Sequence, residues 1–182
     1  MTHGKRFVVT VFGSSKPREG DAEYETAREV GRLLAEAGFT VCNGGYGGTM
    51  EASARGAREA GGATIGVVAR IFGAVSNPFI DRKIVENSLV DRLMKLIELG
   101  DAYVALKGGT GTLVELALVW ELMNKRLAAE KPIVVMGNFW SPVIKTLNEE
   151  LAYEGTGSAT RHVTVVSTPK KCVEVLKERF QT

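Results

Sequence analysis

The stretch Asp101-Ala-Tyr-Val-Ala-Leu-Lys-Gly-Gly-Thr-Gly-Thr-Leu-Val-Glu115 decides the fold. Ala102–Leu106 is a short apolar run of strand length. It breaks into Gly108-Gly109-Thr110-Gly111-Thr112 and continues as an apolar helix over 112–127. A strand feeding a glycine turn that opens a helix is the repeating half of a parallel α/β sheet.

The same unit recurs on either side. Phe7–Phe12 reads as a buried first strand, followed by Gly13-Ser14-Ser15 and a helix over 21–37 with Ala27, Val30, Leu34 and Ala37 on one face. Phe39–Cys42 is a second strand, then Asn43-Gly44-Gly45-Tyr46-Gly47-Gly48-Thr49 and a small-residue helix over 49–60. Ala63–Val68 is a third strand, and 69–87 is the least regular segment. Ser88 opens a helix to Leu99, with Asp91 completing a capping box and Leu89, Leu93 and Leu96 sharing a face. After the quoted stretch come a strand at Pro132–Met136, a helix begun by Ser141-Pro142, a strand at His162–Val166 and a helix begun by Thr168-Pro169. The expectation is a doubly wound, Rossmann-like α/β fold over residues 1–182. It has one domain and a parallel sheet of six or seven strands with helices on both faces.

Composition narrows the class. In 182 residues, 23 basic and 21 acidic side chains leave a net charge of +2, without the basic excess of a nucleic-acid binder. Two cysteines, Cys42 and Cys172, form no CxxC and point to a reducing compartment. The first apolar run is too short for a signal or membrane segment, so the expected location is the cytoplasm, away from membranes. No metal-ligand cluster stands out, and the histidines His3 and His162 read as structural.

In such sheets a ligand sits beyond the carboxyl ends of the strands. The three glycine turns all fall there, each before a helix N-terminus whose free amides favour an anion. Together they predict a phosphorylated ligand. A dinucleotide site is excluded, because Gly13-Ser14-Ser15-Lys16-Pro17 is not GxGxxG and Asn43 stands where a ribose-binding acid belongs. Neither glycine cluster ends in the Gly-Lys-Ser/Thr of a P-loop.

Glu115 has two readings. It can close a capping box with Thr112, or it can be a carboxylate held among Leu113, Val114, Leu116, Ala117, Leu118, Val119 and Trp120 for a functional purpose. A helix this apolar all round is buried or at an interface, which predicts a homodimer or higher homo-oligomer. Arg92 and Lys95 share a helix face and read either as solvated charges or as ligand contacts. Lys107 precedes the third turn and Glu51 begins a helix, so each is either a site residue or a local charge. Arg82 and Lys83, in the irregular segment, either gate the site or face water. Met50, Met94 and Met123 read as core.

The GGxGTxxE motif at Gly108–Glu115, with Arg92 nine residues before Asp101, resembles the LOG (LONELY GUY) family. The likeness extends to Val11–Ser15 with Tyr24 and to Gly44–Gly66 with Met50 and Gly61-Gly62. It implies an enzyme that splits a nucleoside 5′-monophosphate into free base and ribose 5-phosphate, with no cofactor and no metal. In that reading Glu115 is the catalytic acid group and Arg92 its partner, while Gly108, Gly109, Gly111 and Thr112 hold the phosphate. The resemblance also implies a dimer with the site near the subunit interface. Nothing in the sequence reads as a pyridoxal phosphate site, so a lysine decarboxylase label finds no support. Lys107, Glu51 and the Leu118 and Trp120 positions depart from the cytokinin-activating pattern. They look closer to a branch containing molybdenum-cofactor carrier proteins, which implies, as the second reading, a non-catalytic carrier of that cofactor or another phosphorylated ligand. A regulatory nucleotide sensor acting through a partner protein is a third.

Overall fold

The computed structural model describes residues 6–180; His3 lies outside them. Within these residues, seven parallel strands form one sheet: β1 (Val8–Phe12), β2 (Thr40–Asn43), β3 (Thr64–Ala69), β4 (Arg82–Glu86), β5 (Ala102–Ala105), β6 (Ile133–Met136) and β7 (Val163–Val166). Their spatial order is β4-β3-β2-β1-β5-β6-β7. The chain begins in the middle, winds outward to β4, then returns to place β5 beside β1, with Phe12 opposite Ala105. That reversal makes the carboxyl ends of β1 and β5 the switch point of the sheet, where the crossovers diverge and leave a crevice.

Among the described residues, six helices cover the two faces: α1 (Ala22–Glu36), α2 (Thr49–Glu59), α3 (Leu89–Leu99), α4 (Thr110–Asn124), α5 (Ser141–Tyr153) and α6 (Pro169–Phe180). One core layer joins Tyr24, Ala27, Val30 and Leu34 of α1 to Ala52 and Ala57 of α2 and Leu176 of α6. The opposite layer joins Leu96 of α3, Leu116, Val119 and Trp120 of α4 and Ile144 of α5. The α1 and α2 backbones touch. A Cβ on Gly31 would stand 1.9 Å from the Ser53 carbonyl, and one on Gly56 would stand 1.9 Å from that of Arg28. The small-residue composition of α2 is what permits this approach.

Several local expectations are corrected. The segment 69–87 holds a short 3-10 turn, Arg70–Phe72, and then β4. That strand pairs along its whole length with β3, from Ile65 opposite Arg82 to Ala69 opposite Glu86. It lies on the edge, where charged residues are favoured, so its sequence carries little strand signature. Arg82 and Lys83 are exposed on it. Leu89 is exposed, while Leu93 and Leu96 are buried as expected. Ser88 caps α3 by accepting the Asp91 amide at 3.0 Å. α5 is preceded by Trp140 with no side-chain cap, so Ser141 lies inside the helix. His162 closes a second 3-10 turn, Gly157–His162, rather than opening β7. Thr168 caps α6 through the Lys171 amide at 3.2 Å.

Candidate functional site

A cleft of about 590 Å³ lies over the switch point, lined by Gly13–Lys16, Tyr46, Met50, Phe72, Arg92, Gly109–Thr112 and Glu115. Its floor is the third glycine turn. Gly109 is the residue before α4, and the first intrahelical bond there runs from the Leu113 amide to the Gly109 carbonyl at 3.0 Å. The amides of Thr110, Gly111 and Thr112 therefore precede the helical ladder and form a donor set with the positive end of α4 behind it. Apart from the chain neighbours and the helix's own backbone, no atom lies within 4 Å of where a Cβ would stand on Gly109 or Gly111.

This start corrects the capping-box reading of Glu115. With α4 beginning at Thr110, Glu115 sits in the second turn, beyond reach of the cap. Its side chain is only 12% exposed and faces Arg92, with Arg92 Nη1 3.9 Å from Glu115 Oε1. That is an ion pair without a hydrogen bond. Burial pushes the carboxyl up to about 7, against the opposing pull of the Arg92 charge.

Arg92 is 7% exposed and held from behind. Its Nε donates to the Val67 carbonyl at 2.8 Å and its Nη2 to the Gly44 carbonyl at 3.2 Å. Its guanidinium carbon lies 5.4 Å from the centroid of the Tyr46 ring. A Cβ on Gly44 would fall 1.7 Å from Arg92 Nη2, so this turn makes room for the arginine.

The second glycine turn is thus largely a framework. Buried Asn43 donates from Nδ2 to the Met50 carbonyl at 2.9 Å and to Ser53 Oγ at 3.1 Å, and accepts the Gly45 amide at 2.8 Å. Thr49 donates its amide (2.8 Å) and hydroxyl (3.1 Å) to the Ser14 carbonyl, clasping the first turn to the second. Gly48 has φ +69, and a Cβ there would meet the Ser14 carbonyl oxygen at 2.3 Å. Of this turn only Tyr46 reaches the cleft, followed by Met50 at the start of α2. Gly44, Gly45, Gly47, Gly48 and Thr49 do not line it.

Other expected residues also lie elsewhere. Lys107 Nζ is 2.6 Å from Glu23 Oε1, and with Gly108 it lines a neighbouring depression that also includes Phe139. Gly108 packs on Thr112, whose Oγ1 would be 2.1 Å from an added Cβ. Lys95 pairs with Glu98 at 2.6 Å. Glu51 accepts the Tyr24 hydroxyl at 3.0 Å, linking α1 to α2. The sequence reading missed Lys16, Tyr46 and Phe72 and assigned Met50 to the core alone. An aromatic inside a glycine turn is a readable signal for Tyr46. Phe72 has none, because its place depends on the path of 69–81. Among the described residues no group of three or more His, Cys, Asp or Glu side chains is placed to hold a metal ion, and no helix is long and apolar enough to cross a membrane.

Residues 6–173 match the profile of the SLOG cluster4 family. A protein from Archaeoglobus fulgidus carrying no functional name is 38% identical over 133 residues, covering 72% of this chain and 85% of that one. A cytokinin riboside 5′-monophosphate phosphoribohydrolase from Mycobacterium tuberculosis is 33% identical over 117 residues, covering 63% of this chain and 62% of the enzyme. Among solved structures, the molybdenum cofactor carrier protein of Chlamydomonas reinhardtii superposes with a TM-score of 0.78 at 24% identity, covering 98% of this chain and 100% of that one. That last likeness is one of fold. The glycine turns at the switch point, the Arg92–Glu115 pair and the match along nearly the whole length agree, and the chain belongs to the SLOG cluster4 family.

Proposed function

We propose that the protein hydrolyses the N-glycosidic bond of a nucleoside 5′-monophosphate. The observation that carries this is the shielded Glu115 carboxylate, paired with Arg92 in the cleft that opens on the amides of Thr110, Gly111 and Thr112. The phosphate docks on those amides, where donors and helix dipole both favour an anion. The open space at Gly109 and Gly111 suits this: neither glycine is needed for packing, and both leave room for phosphate oxygens. Binding energy from the phosphate then orients the sugar over Glu115.

Departure of the base leaves positive charge on the ribose ring. The Glu115 carboxylate stabilises that charge and orients the water that adds to the anomeric carbon. The C–N bond breaks with its electron pair leaving on the base, which takes up a proton; the products are free base and ribose 5-phosphate. Arg92 acts through Glu115 as a positioning residue: its charge opposes the burial that raises the carboxyl to about 7, so that an ionised fraction is present at neutral pH. The named activity of the Mycobacterium tuberculosis relative supports the same reading.

The proposed assembly is a homodimer. α4 leaves Leu113 and Val114 exposed, and α3 leaves Leu89, Val90 and Met94 exposed, an apolar surface that association would cover.

The test is base release from AMP, GMP, CMP, UMP and a cytokinin riboside monophosphate, followed by chromatography beside Glu115→Gln. Release by the parent protein and none by the variant is expected. Binding of a monophosphate with no release from any of them would replace hydrolysis with the carrier reading.

A further inference from the structure

Phe72 is 56% exposed and lines the cleft, flanked by Ile71 and Val75 at 60% and 74% exposure. Exposed apolar side chains grouped in this way beside a cleft mark a surface that a ligand covers. The segment carrying it is built rather than loose. Gly73 and Ala74 both adopt positive φ, +98 and +52, which for alanine is a strained conformation. The Ala74 amide returns to the Ala69 carbonyl at 3.3 Å. Asn77 then fastens the segment to the second glycine turn, donating its amide to the Gly45 carbonyl at 2.8 Å and its Nδ2 to that of Tyr46 at 2.9 Å.

Phe72 also stands in a chain of ring contacts that leads to the reacting groups. Its ring meets Tyr46 edge-on, centroids 6.2 Å apart and planes at 81°. The Tyr46 hydroxyl accepts the Ala69 amide at 2.8 Å and donates to the Ala69 carbonyl at 3.2 Å, which fixes that ring. Arg92 lies over the Tyr46 ring, its guanidinium carbon 5.4 Å from the centroid. Tyr46 is half-buried and engaged by both Phe72 and Arg92, whereas Phe72 keeps more than half of its surface exposed.

We propose that Phe72 is the specificity-determining platform of this cleft: the base of the bound nucleotide stacks on its ring, which favours a bicyclic purine over a pyrimidine. This rests on the nucleoside monophosphate reading above. Stacking is tolerant of base identity but grows with shared ring area, so the preference is graded. With phosphate on the α4 amides and base on Phe72, the glycosidic bond spans the interval that Glu115 lines.

The experiment measures calorimetric affinities for AMP, UMP and ribose 5-phosphate in Glu115→Gln protein, which prevents turnover. Phe72, Phe72→Ala and Phe72→Trp are compared, with melting temperatures as the check on folding. Phe72→Ala should weaken AMP about ten-fold, the size of a lost base–aromatic stack, and UMP less. Ribose 5-phosphate, which has no base, should be unaffected, and Phe72→Trp should restore AMP. With Glu115 intact, Phe72→Ala should raise KM for AMP while leaving kcat in place. If Phe72→Ala weakens AMP and ribose 5-phosphate equally, or leaves AMP unchanged, the platform is overturned while the phosphate reading stands. If neither compound binds the protein with Phe72 intact, the reading of the cleft falls, and the platform falls with it.

Discussion

Replacing Glu115 by glutamine should stabilise the protein, and by an amount that depends on pH. Burial raises this carboxyl from an ordinary 4.5 to about 7, while the charge of Arg92 at 3.9 Å only partly offsets the loss of water. Between those two values the folded state binds more protons than the unfolded state, so stability falls as pH rises. Below about 4.5 both states are protonated and Glu115 costs nothing; above about 7 both are ionised and the full cost applies. At roughly 1.4 kcal/mol per unit, the cost at neutral pH and above approaches about 3 kcal/mol. For a chain of this size that is a melting difference of roughly 6–12 °C. The assay is thermal or urea unfolding of both proteins from pH 4 to 8. Subtracting one profile from the other cancels every group that titrates alike in the two. The gap should be small at pH 4, open in favour of Glu115→Gln through pH 5–7, and level off above. A gap that stays flat would refute burial as the dominant influence. A gap that opens in favour of the parent protein would show that the attraction of Arg92 wins, reversing the reasoning.

Arg92→Ala removes the donor to the Val67 and Gly44 carbonyls and leaves Glu115 without its cation, so it should cost roughly 3–5 kcal/mol in urea unfolding. It should also move the pH profile of base release upward, because the one influence lowering the Glu115 pKa is gone. Gly48→Ala, at φ +69 with its Cβ 2.3 Å from the Ser14 carbonyl, should lose at least about 2 kcal/mol by the same measurement. Gly111→Ala is the contrast: with nothing but its chain neighbours and own helix backbone within 4 Å of the added Cβ, it should keep or gain up to about 1 kcal/mol of stability, while calorimetry shows weaker ribose 5-phosphate binding. Lys107→Met should leave both base release and melting temperature unchanged, since Lys107 pairs with Glu23 beside the cleft rather than inside it; a loss of affinity would return it to the site.

The sequence by itself determined the parallel sheet, the three turns at its carboxyl edge, and Glu115 with Arg92 as the groups to examine. Those features are local: strand runs, glycine turns and helix caps are written in neighbouring residues, and spacing carries them. β4 escaped because an edge strand carries charges where an inner one carries valines. The division of labour among the turns was beyond the sequence. All three look like phosphate cradles, yet the second spends its amides and its missing side chains on Asn43, Ser14 and Arg92. Tertiary structure alone decided that division, since it depends on contacts such as Gly44 with Arg92 and Thr49 with Ser14, far apart in the chain. It alone turned Lys107 toward Glu23 and carried Phe72 to the mouth of the cleft. It also gave Glu115 its raised pKa, because loss of water is a property of the surrounding fold and not of the residue.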